Sequence, residues 1–436
     1  MTHLTRAPGS GAGSIQPVTV PARTRAAARL GLMTSSLSRR MGKGEGMVIG
    51  GRVILKLAPN AIRDLAHDRV AALVSATNGK TSTTRLLATA VEQAGPVISQ
   101  HTGANMTSGV VVTLASGDPA ATAVLEVDEA YLPQIYEATH PKVILLGNLS
   151  RDQLDRMSEV AMVARRWRNM LASATDTIVV ANADDPSIVW SARHAPHVIW
   201  VAAGQVWTAD SAVCLNCGAL LLREDDNWAC PKCGFARPTP EWSLEWRDGY
   251  GIAHGPDGAT YELHLQLPGR FNASNGILAL VTTVALGLDP AESAARMATV
   301  ESVSGRYAIV KVGQLWIRLL LAKNPAGWSE LIDVMPPAPT PVIITINSNA
   351  ADGRDPSWLW DVPFERLRGR TVVATGDRRR DLAVRLLHAE VDHVVIENPY
   401  APDADLPPGM RELDVVDCAA TYTAFHHLRT TAEEQR

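Results

Sequence analysis

The chain has 436 residues, 46% of them hydrophobic and 20% charged, with 41 Lys and Arg against 45 Asp and Glu for a formal charge of −4. The length predicts two or three domains, and the composition excludes wholly disordered, collagen-like and coiled-coil chains. The charge balance offers no broad basic field for a nucleic-acid backbone, and the longest apolar stretch, residues 277–288, falls far short of the ~20 residues that cross a bilayer.

Residues 1–44 carry Arg6, Arg23, Arg25, Arg29, Arg39, Arg40 and Lys43 and no acid, yet lack the apolar core of a secretory signal. They are expected to form a basic flexible tail, with Pro, Gly and Ser up to about Arg23 favouring disorder. An organellar transit peptide would share that composition. The simpler expectation is a cytoplasmic chain. Beyond the tail, apolar runs alternate with helical patterns in the order of parallel β/α units. Residues 69–76 read as a buried strand and 81–94 as a helix with Leu86, Leu87, Ala90 and Val91 on one side. Further strands are predicted over 121–127, 142–147, 177–181 and 197–202, with intervening helices such as 157–174. This is a doubly wound α/β domain.

Four of the five cysteines interrupt the pattern as Cys214-Leu-Asn-Cys217 and Cys230-Pro-Lys-Cys233. Each CxxC pair is followed by a glycine, Gly218 and Gly234, and together they place four thiolates for a tetrahedral zinc ion. Every coordination position is then taken, so the zinc is expected to be structural. Two disulfides, the alternative, belong to an oxidising compartment. Residues 243–267 alternate like a hairpin around Asp248-Gly249 and Asp257-Gly258, and a helix over 272–286 closes the unit. A second, smaller α/β domain restarts after Gly305, with strands near 316–321, 342–346, 371–374 and 393–396 and a rigid proline-rich loop at 336–341. The fifth cysteine, Cys418, reads as a buried small hydrophobe.

Between the first strand and the first helix lies Ser75-Ala76-Thr77-Asn78-Gly79-Lys80-Thr81-Ser82, where a phosphate-binding loop belongs. Amides at the helix start would cradle phosphate, Lys80 would reach the β and γ oxygens, and Thr81 would hold Mg²⁺. The residue five before Gly79 is Val74, so the strict glycine-first pattern is not met.

The loop resembles TGTNGKT of the Mur ligase superfamily, with Ala76 in place of its glycine. Leu125-Glu126-Val127-Asp128-Glu129 falls where that family places a Mg²⁺-binding glutamate, which assigns Glu126; a solvated acid run is the alternative. Asn148-Leu-Ser-Arg-Asp152-Gln153-Leu-Asp155 is similar to the family's N…DHLD segment, with Gln153 in place of a metal-binding histidine. Asn182-Ala-Asp184-Asp-Pro186, Asn272-Ala-Ser-Asn275 and Gly305-Arg306 resemble later ATP-contacting motifs. The resemblance thus implies ATP contacts at Thr77, Asn78, Gly79, Lys80, Thr81, Ser82, Asn182, Asp184, Asn272 and Arg306, and Mg²⁺ on Thr81 and Glu126. It divides the chain into a tail (1–44), a Mur ligase-type ATP-binding central domain (45–305) with a zinc-ribbon insert (210–237), and a C-terminal α/β domain (306–436) that contacts a partner.

Two departures narrow the family. The phosphate-loop strand starts near Arg69, leaving no room for an N-terminal nucleotide-sugar domain of ~100 residues. No lysine lies between Lys142 and Lys232, where stem-peptide ligases carry a carbamoylated one. With the four-cysteine insert and Asn349-Ala-Ala-Asp352-Gly-Arg-Asp355-Pro-Ser-Trp358-Leu-Trp360-Asp361, the chain resembles the ligase-like subunits of lipid II isoglutaminyl synthases. Those subunits pair with a GatD-type glutaminase and amidate the α-carboxylate of D-glutamate in lipid II, giving D-isoglutamine. The resemblance implies phosphoryl transfer from ATP to the carboxylate, aided by Lys80, Glu126 and Arg306, and attack on the acyl phosphate by ammonia. With four cysteines committed to zinc and Cys418 outside any motif, the ammonia must come from the partner. Asp355 would complete that partner's Cys-His pair; on the residues alone it is an N-cap ahead of a helix near Trp358. The implied site of action is the inner face of the membrane. The alternatives are a free-standing amino-acid ligase of the folylpolyglutamate or cyanophycin type, and a non-catalytic ATP-binding scaffold.

Overall fold

The computed structural model describes residues 20–41, 46–100, 103–151, 160–205, 207–301 and 307–434. In chain order the first strands are β1 (Ala71–Ser75), β2 (Val97–Ser99), β3 (Thr122–Glu126), β4 (Val143–Leu146), β5 (Ile178–Asn182) and β6 (Val198–Ala202). A small hairpin follows, β7 (Leu222–Glu224) with β8 (Asn227–Ala229), and then β9 (Trp242–Arg247), β10 (Tyr250–His254) and β11 (Thr260–Leu263). Apart from the hairpin these form one nine-stranded sheet in the order β11-β10-β9-β6-β5-β4-β1-β3-β2. It is parallel from β9 to β2, while β9, β10 and β11 form an antiparallel meander.

Every residue of β1 is buried, as a parallel strand covered on both faces requires. Its alternation divides the core. Ala71 and Leu73 face one layer and Ala72 and Val74 the other. The first layer is supplied by α1 (Ala22–Arg40), α2 (Met47–Leu57) and α3 (Ala61–Ala66), and the second by α4 (Lys80–Val91). Helices α5 (Thr107–Ser116), α6 (Leu132–Thr139), α7 (Val160–Leu171) and α8 (Pro186–Ala192) join the first layer. Helices α9 (Arg270–Leu286) and α10 (Pro290–Met297) join the second. Trp167 of α7 is fully buried and donates its indole N–H to the Glu129 carbonyl (2.9 Å), fixing the loop after β3.

The second sheet contains β12 (Tyr307–Val312), β13 (Leu315–Leu321), β14 (Val342–Thr345), β15 (Val372–Thr375), β16 (His393–Val395) and β17 (Val416–Ala420), in the order β12-β13-β17-β14-β15-β16. Helices α11 (Pro325–Val334), α12 (Arg379–His388) and α13 (Tyr422–Glu434) cover it. Its centre, β17, escapes a pattern reading because Val-Asp-Cys-Ala-Ala carries a charge mid-strand. Asp417 is buried there against Arg318 Nε (2.6 Å). Cys418 is fully buried in the same strand, as a small hydrophobe would be. On the α11 side the buried Trp328 stacks on Trp358 (6.3 Å between centroids) and meets Phe364 edge-on (6.0 Å).

The expected flexible tail over 1–44 is corrected by α1. Residues 22–40 form a helix because a face of small residues, Thr24, Ala27, Ala28, Gly31, Ser35 and Ser38, seats against α2 and α5. Residues 1–19 and 42–45 lie outside the described residues. The hairpin expected over 243–267 is the three-stranded meander of β9, β10 and β11, with turns at the two Asp-Gly pairs.

Candidate active site

After β1 the residues Ala76, Thr77, Asn78 and Gly79 turn the chain into α4. Gly79 has φ +78°, and a Cβ there would stand 2.4 Å from Asn275 Oδ1, so both the conformation and the approach of α9 require glycine. The loop is strapped to the segment after β4. The Asn78 N–H donates to Asn148 Oδ1 (2.9 Å), Asn148 Nδ2 donates to the Asn78 carbonyl (3.0 Å), and the Ser150 N–H donates to Thr77 Oγ1 (3.1 Å). Ser82 is buried in the first turn of α4, whose N-terminal amides begin at this loop.

Lys80 is buried, and its Nζ donates to Glu129 Oε2 (2.8 Å) and to the Ala76 carbonyl. Glu126 ends β3 beside Val74 and is 2% exposed. Its Oε1 accepts from Thr81 Oγ1 (3.3 Å) and Asn105 Nδ2 (3.1 Å), while Gln100 holds its backbone from both sides, accepting from the N–H (3.0 Å) and donating to the C=O (2.9 Å). Glu126 Oε2 is buried with no hydrogen-bond partner among the described residues. A buried carboxylate oxygen left without a donor beside a threonine hydroxyl is a donor set that fits a hard divalent cation.

From this loop a cleft extends between Asn78, Asn148, Asn182, Asn275, Trp207 and Phe271, and Ala326 and Glu330 of α11 close it from the second domain. Asn182 Oδ1 accepts from the Asp184 N–H (3.0 Å). Asn272 stands behind the cleft, its Oδ1 accepting from Asn275 Nδ2 (3.3 Å) and so orienting the amide that covers Gly79. Asp184 does not line the cleft: its carboxylate takes the Gly204 N–H (2.6 Å) and Arg237 Nε (2.6 Å). Burial raises its pKa, and Arg237 opposes that shift. Asp185 caps α8 through the Ser187 and Ile188 N–H groups and also accepts from the Leu149 N–H (2.8 Å), and burial still pushes it up to about 6.

The structure therefore gathers Thr77, Asn78, Gly79, Lys80, Thr81, Ser82, Glu126, Asn182 and Asn272 at one end of the sheet. Arg306, Asp152, Gln153 and Asp155 fall outside the described residues. Sequence reasoning missed Glu129, Gln100 and Asn105. Glu129 sits in the acid run with Glu126, but nothing in that run says which carboxylate meets Lys80, and Gln100 and Asn105 carry no local signal at all. Asp355 is exposed on the second domain and accepts the Ser357 N–H (2.9 Å) at the start of the 3-10 turn Pro356–Asp361, and that N–H holds its pKa low. At the other end of the turn Asp361 pairs with Arg151 Nη2 (3.3 Å), next to Ser150 of the loop strap.

The four cysteines form a separate cluster, their sulfurs all within 4.8 Å of one another. Cys214 and Cys233 lie 3.7 Å apart and Cys217 and Cys230 3.4 Å apart, beyond the ~2.05 Å of a disulfide. Gly218 (φ +76°) and Gly234 (φ +69°) donate their N–H groups back to the Cys214 and Cys230 carbonyls, closing two matching knuckles. Four sulfurs so placed suit tetrahedral metal coordination. Trp228 packs on Phe235 and donates to the Ala183 carbonyl (3.1 Å), seating the insert on the end of β5.

A phosphate loop of this form, on a doubly wound sheet whose neighbouring strand delivers a carboxylate to the loop threonine, is an arrangement suited to ATP and a divalent cation, as in ATP-dependent ligases of the Mur type. Residues 74–209 match the Mur ligase middle domain family, and residues 321–425 match the MurT ligase C-terminal family. Over most of its length the chain is similar to MurT subunits. It is 27% identical over 421 residues (88% of this chain, 92% of the relative) to the Lipid II isoglutaminyl synthase (glutamine-hydrolyzing) subunit MurT of Streptococcus pneumoniae. It is 28% identical over 394 residues (85% and 89%) to the subunit of the same name from Staphylococcus aureus. Among solved structures, a pseudomurein peptide ligase type C from Methanothermus fervidus superposes with a TM-score of 0.66 at 15% identity, covering 95% of this chain and 98% of that one.

Proposed function

We propose that this chain is the ligase subunit of a lipid II isoglutaminyl synthase, converting the α-carboxylate of D-glutamate in the stem peptide to the amide of D-isoglutamine. The observation that carries the reading is its likeness to MurT subunits over 88% of its length. A carboxylate is a poor electrophile, so it first takes the γ-phosphoryl group of ATP, and ammonia then displaces phosphate from the acyl phosphate. Lys80, released from Glu129, binds the β and γ oxygens, the α4 amides and Asn78 hold the phosphate chain, and Asn182 and Asn275 face the remainder of the nucleotide. Thr81 and Glu126 would hold Mg²⁺, which neutralises the charge that builds on the transferring phosphoryl group. By its resemblance to the family's motif, Arg306 would contact the same phosphates. Cys214, Cys217, Cys230 and Cys233 would hold a structural zinc ion.

Ammonia comes from a GatD-type glutaminase seated on the C-terminal domain, where Asp355 orients the partner's catalytic histidine. The work takes place in the cytoplasm, at the inner face of the membrane, on a lipid-linked acceptor. The test is the mass of lipid II after incubation with this chain, the glutaminase, glutamine and Mg-ATP. Conversion of one carboxyl to an amide, only with both proteins present, is expected; gain of a whole amino acid, or no change while ATP is consumed, would overturn the reading. Lys80→Ala is expected to lower ATP turnover at least 100-fold, as loss of a principal transition-state charge does.

A further inference from the structure

Helix α1 sorts its side chains the opposite way from a helix that supports a soluble core. It buries Ala27, Ala28, Gly31 and Ser35 and leaves Leu30, Met33, Leu37 and Met41 at 51%, 68%, 57% and 54% exposure. Its partner α2 forces that choice. A Cβ on Gly31 would stand 2.3 Å from Ile54 Cγ1 and one on Gly50 1.9 Å from Ser35 Oγ, so the two backbones meet through their small residues and no large side chain fits between them. The displaced side chains, spaced by three, four and four, form one continuous stripe on the outer face. Val48 and Ile49 of α2 are also exposed, at 48% and 45%.

The charge around this stripe is one-sided. Helices α1 and α2 hold Arg23, Arg25, Arg29, Arg39, Arg40, Arg52 and Lys56 and no acid, in a chain whose formal charge is −4. Arg29 and Arg40 are exposed at the two ends of the stripe. An apolar stripe within a cationic rim, on a helix of 19 residues, is the form that lies in the interface of a bilayer with its apolar side chains among the acyl chains and its cations on anionic headgroups. No helix of the described residues is long and apolar enough to cross a membrane, so the contact is with one surface.

We propose that the outer face of the α1–α2 hairpin docks this protein on an anionic lipid bilayer. An apolar protein surface would account for the stripe alone, whereas an anionic lipid surface accounts for both the stripe and the cations beside it. The inference stands apart from the amidation reading, to which it adds a way of reaching a lipid-linked acceptor.

The test is co-sedimentation of the full chain with phosphatidylcholine vesicles, with and without about one-third phosphatidylglycerol. Binding to the anionic vesicles that weakens as salt is raised is expected. Arg29→Ala and Arg40→Ala should each weaken it about fivefold, and Met33→Glu with Leu37→Glu should weaken it at least about tenfold. All four positions are exposed, and unchanged circular dichroism will show that the variants fold. No binding to anionic vesicles, or binding that the variants leave unaltered, overturns the proposal. So does loss of the glutaminase partner from the Met33 and Leu37 variant while it sediments as before, which assigns the face to a protein. Vesicle binding without amidation would count against the proposed reaction alone.

Discussion

At the scale of single residues, Asp185 shows how burial and hydrogen bonding compete. Three N–H donors favour its carboxylate, yet full burial wins and lifts it to about 6 from 3.8. Because the folded state holds the proton more tightly than the unfolded chain, this group's contribution to stability is present at low pH and is lost as pH rises through about 4 to 6. Asp185→Asn keeps an acceptor for α8 but cannot ionise. Its stability relative to the wild type is expected to rise across that window by an amount on the order of 3 kcal/mol, measurable by urea unfolding at pH 4 and pH 7. A flat difference would refute the assignment. At the phosphate loop, Gly79→Ala meets both a positive φ and Asn275, and a loss of about 1–3 kcal/mol is expected in thermal unfolding. Asp355 has an exposed carboxylate engaged by one N–H. Asp355→Asn is expected to cut glutamine-driven amidation by a factor on the order of 10³ while amidation driven by added ammonium persists; an equal fall in both would place its role elsewhere.

Among the elements, the cysteine insert is the most self-contained. Among the described residues its two short strands pair with no strand of either large sheet, and its packing onto the sheet runs through Trp228, Phe235 and the Asp184–Arg237 pair. The proposed zinc ion would supply much of what holds so small an element in shape. Strong chelators are therefore expected to release the proposed zinc ion and to raise amide hydrogen exchange across residues 213–237, with β1 and β4 still protected. Uniform exposure of the whole domain would show the insert to be integral to its folding. The CxxC spacing made this element readable in advance. The strand β17 was not readable, since its burial and its pairing to β13 and β14 depend on Arg318, 99 residues away, taking up the charge of Asp417.

Over the whole molecule, two sheets carry separate cores, joined where α11 closes the cleft and where Arg151 meets Asp361. That salt bridge is half exposed and by itself holds the domains weakly. Trp328→Ala should remove about 3–5 kcal/mol from the C-terminal domain. Its unfolding transition is expected to separate from, and precede, that of the central domain in calorimetry. A single shifted transition would show that the two cores fold as one.

Local pattern was enough for the parallel β/α order, the phosphate loop from Thr77 to Ser82, the four cysteines and most strands of both sheets. Each rests on a short-range signal, whether an apolar run, a fixed spacing or a glycine at a turn. Tertiary structure alone decided that Lys80 rests on Glu129, that Gln100 and Asn105 hold Glu126, that Asp184 turns to Arg237, and that residues 22–40 are a helix showing its large apolar side chains to solvent. These depend on which distant segments meet. Without those contacts a run of basic and small residues reads as a tail, whereas Gly31 and Gly50 let two helices touch at their backbones and make it an ordered surface.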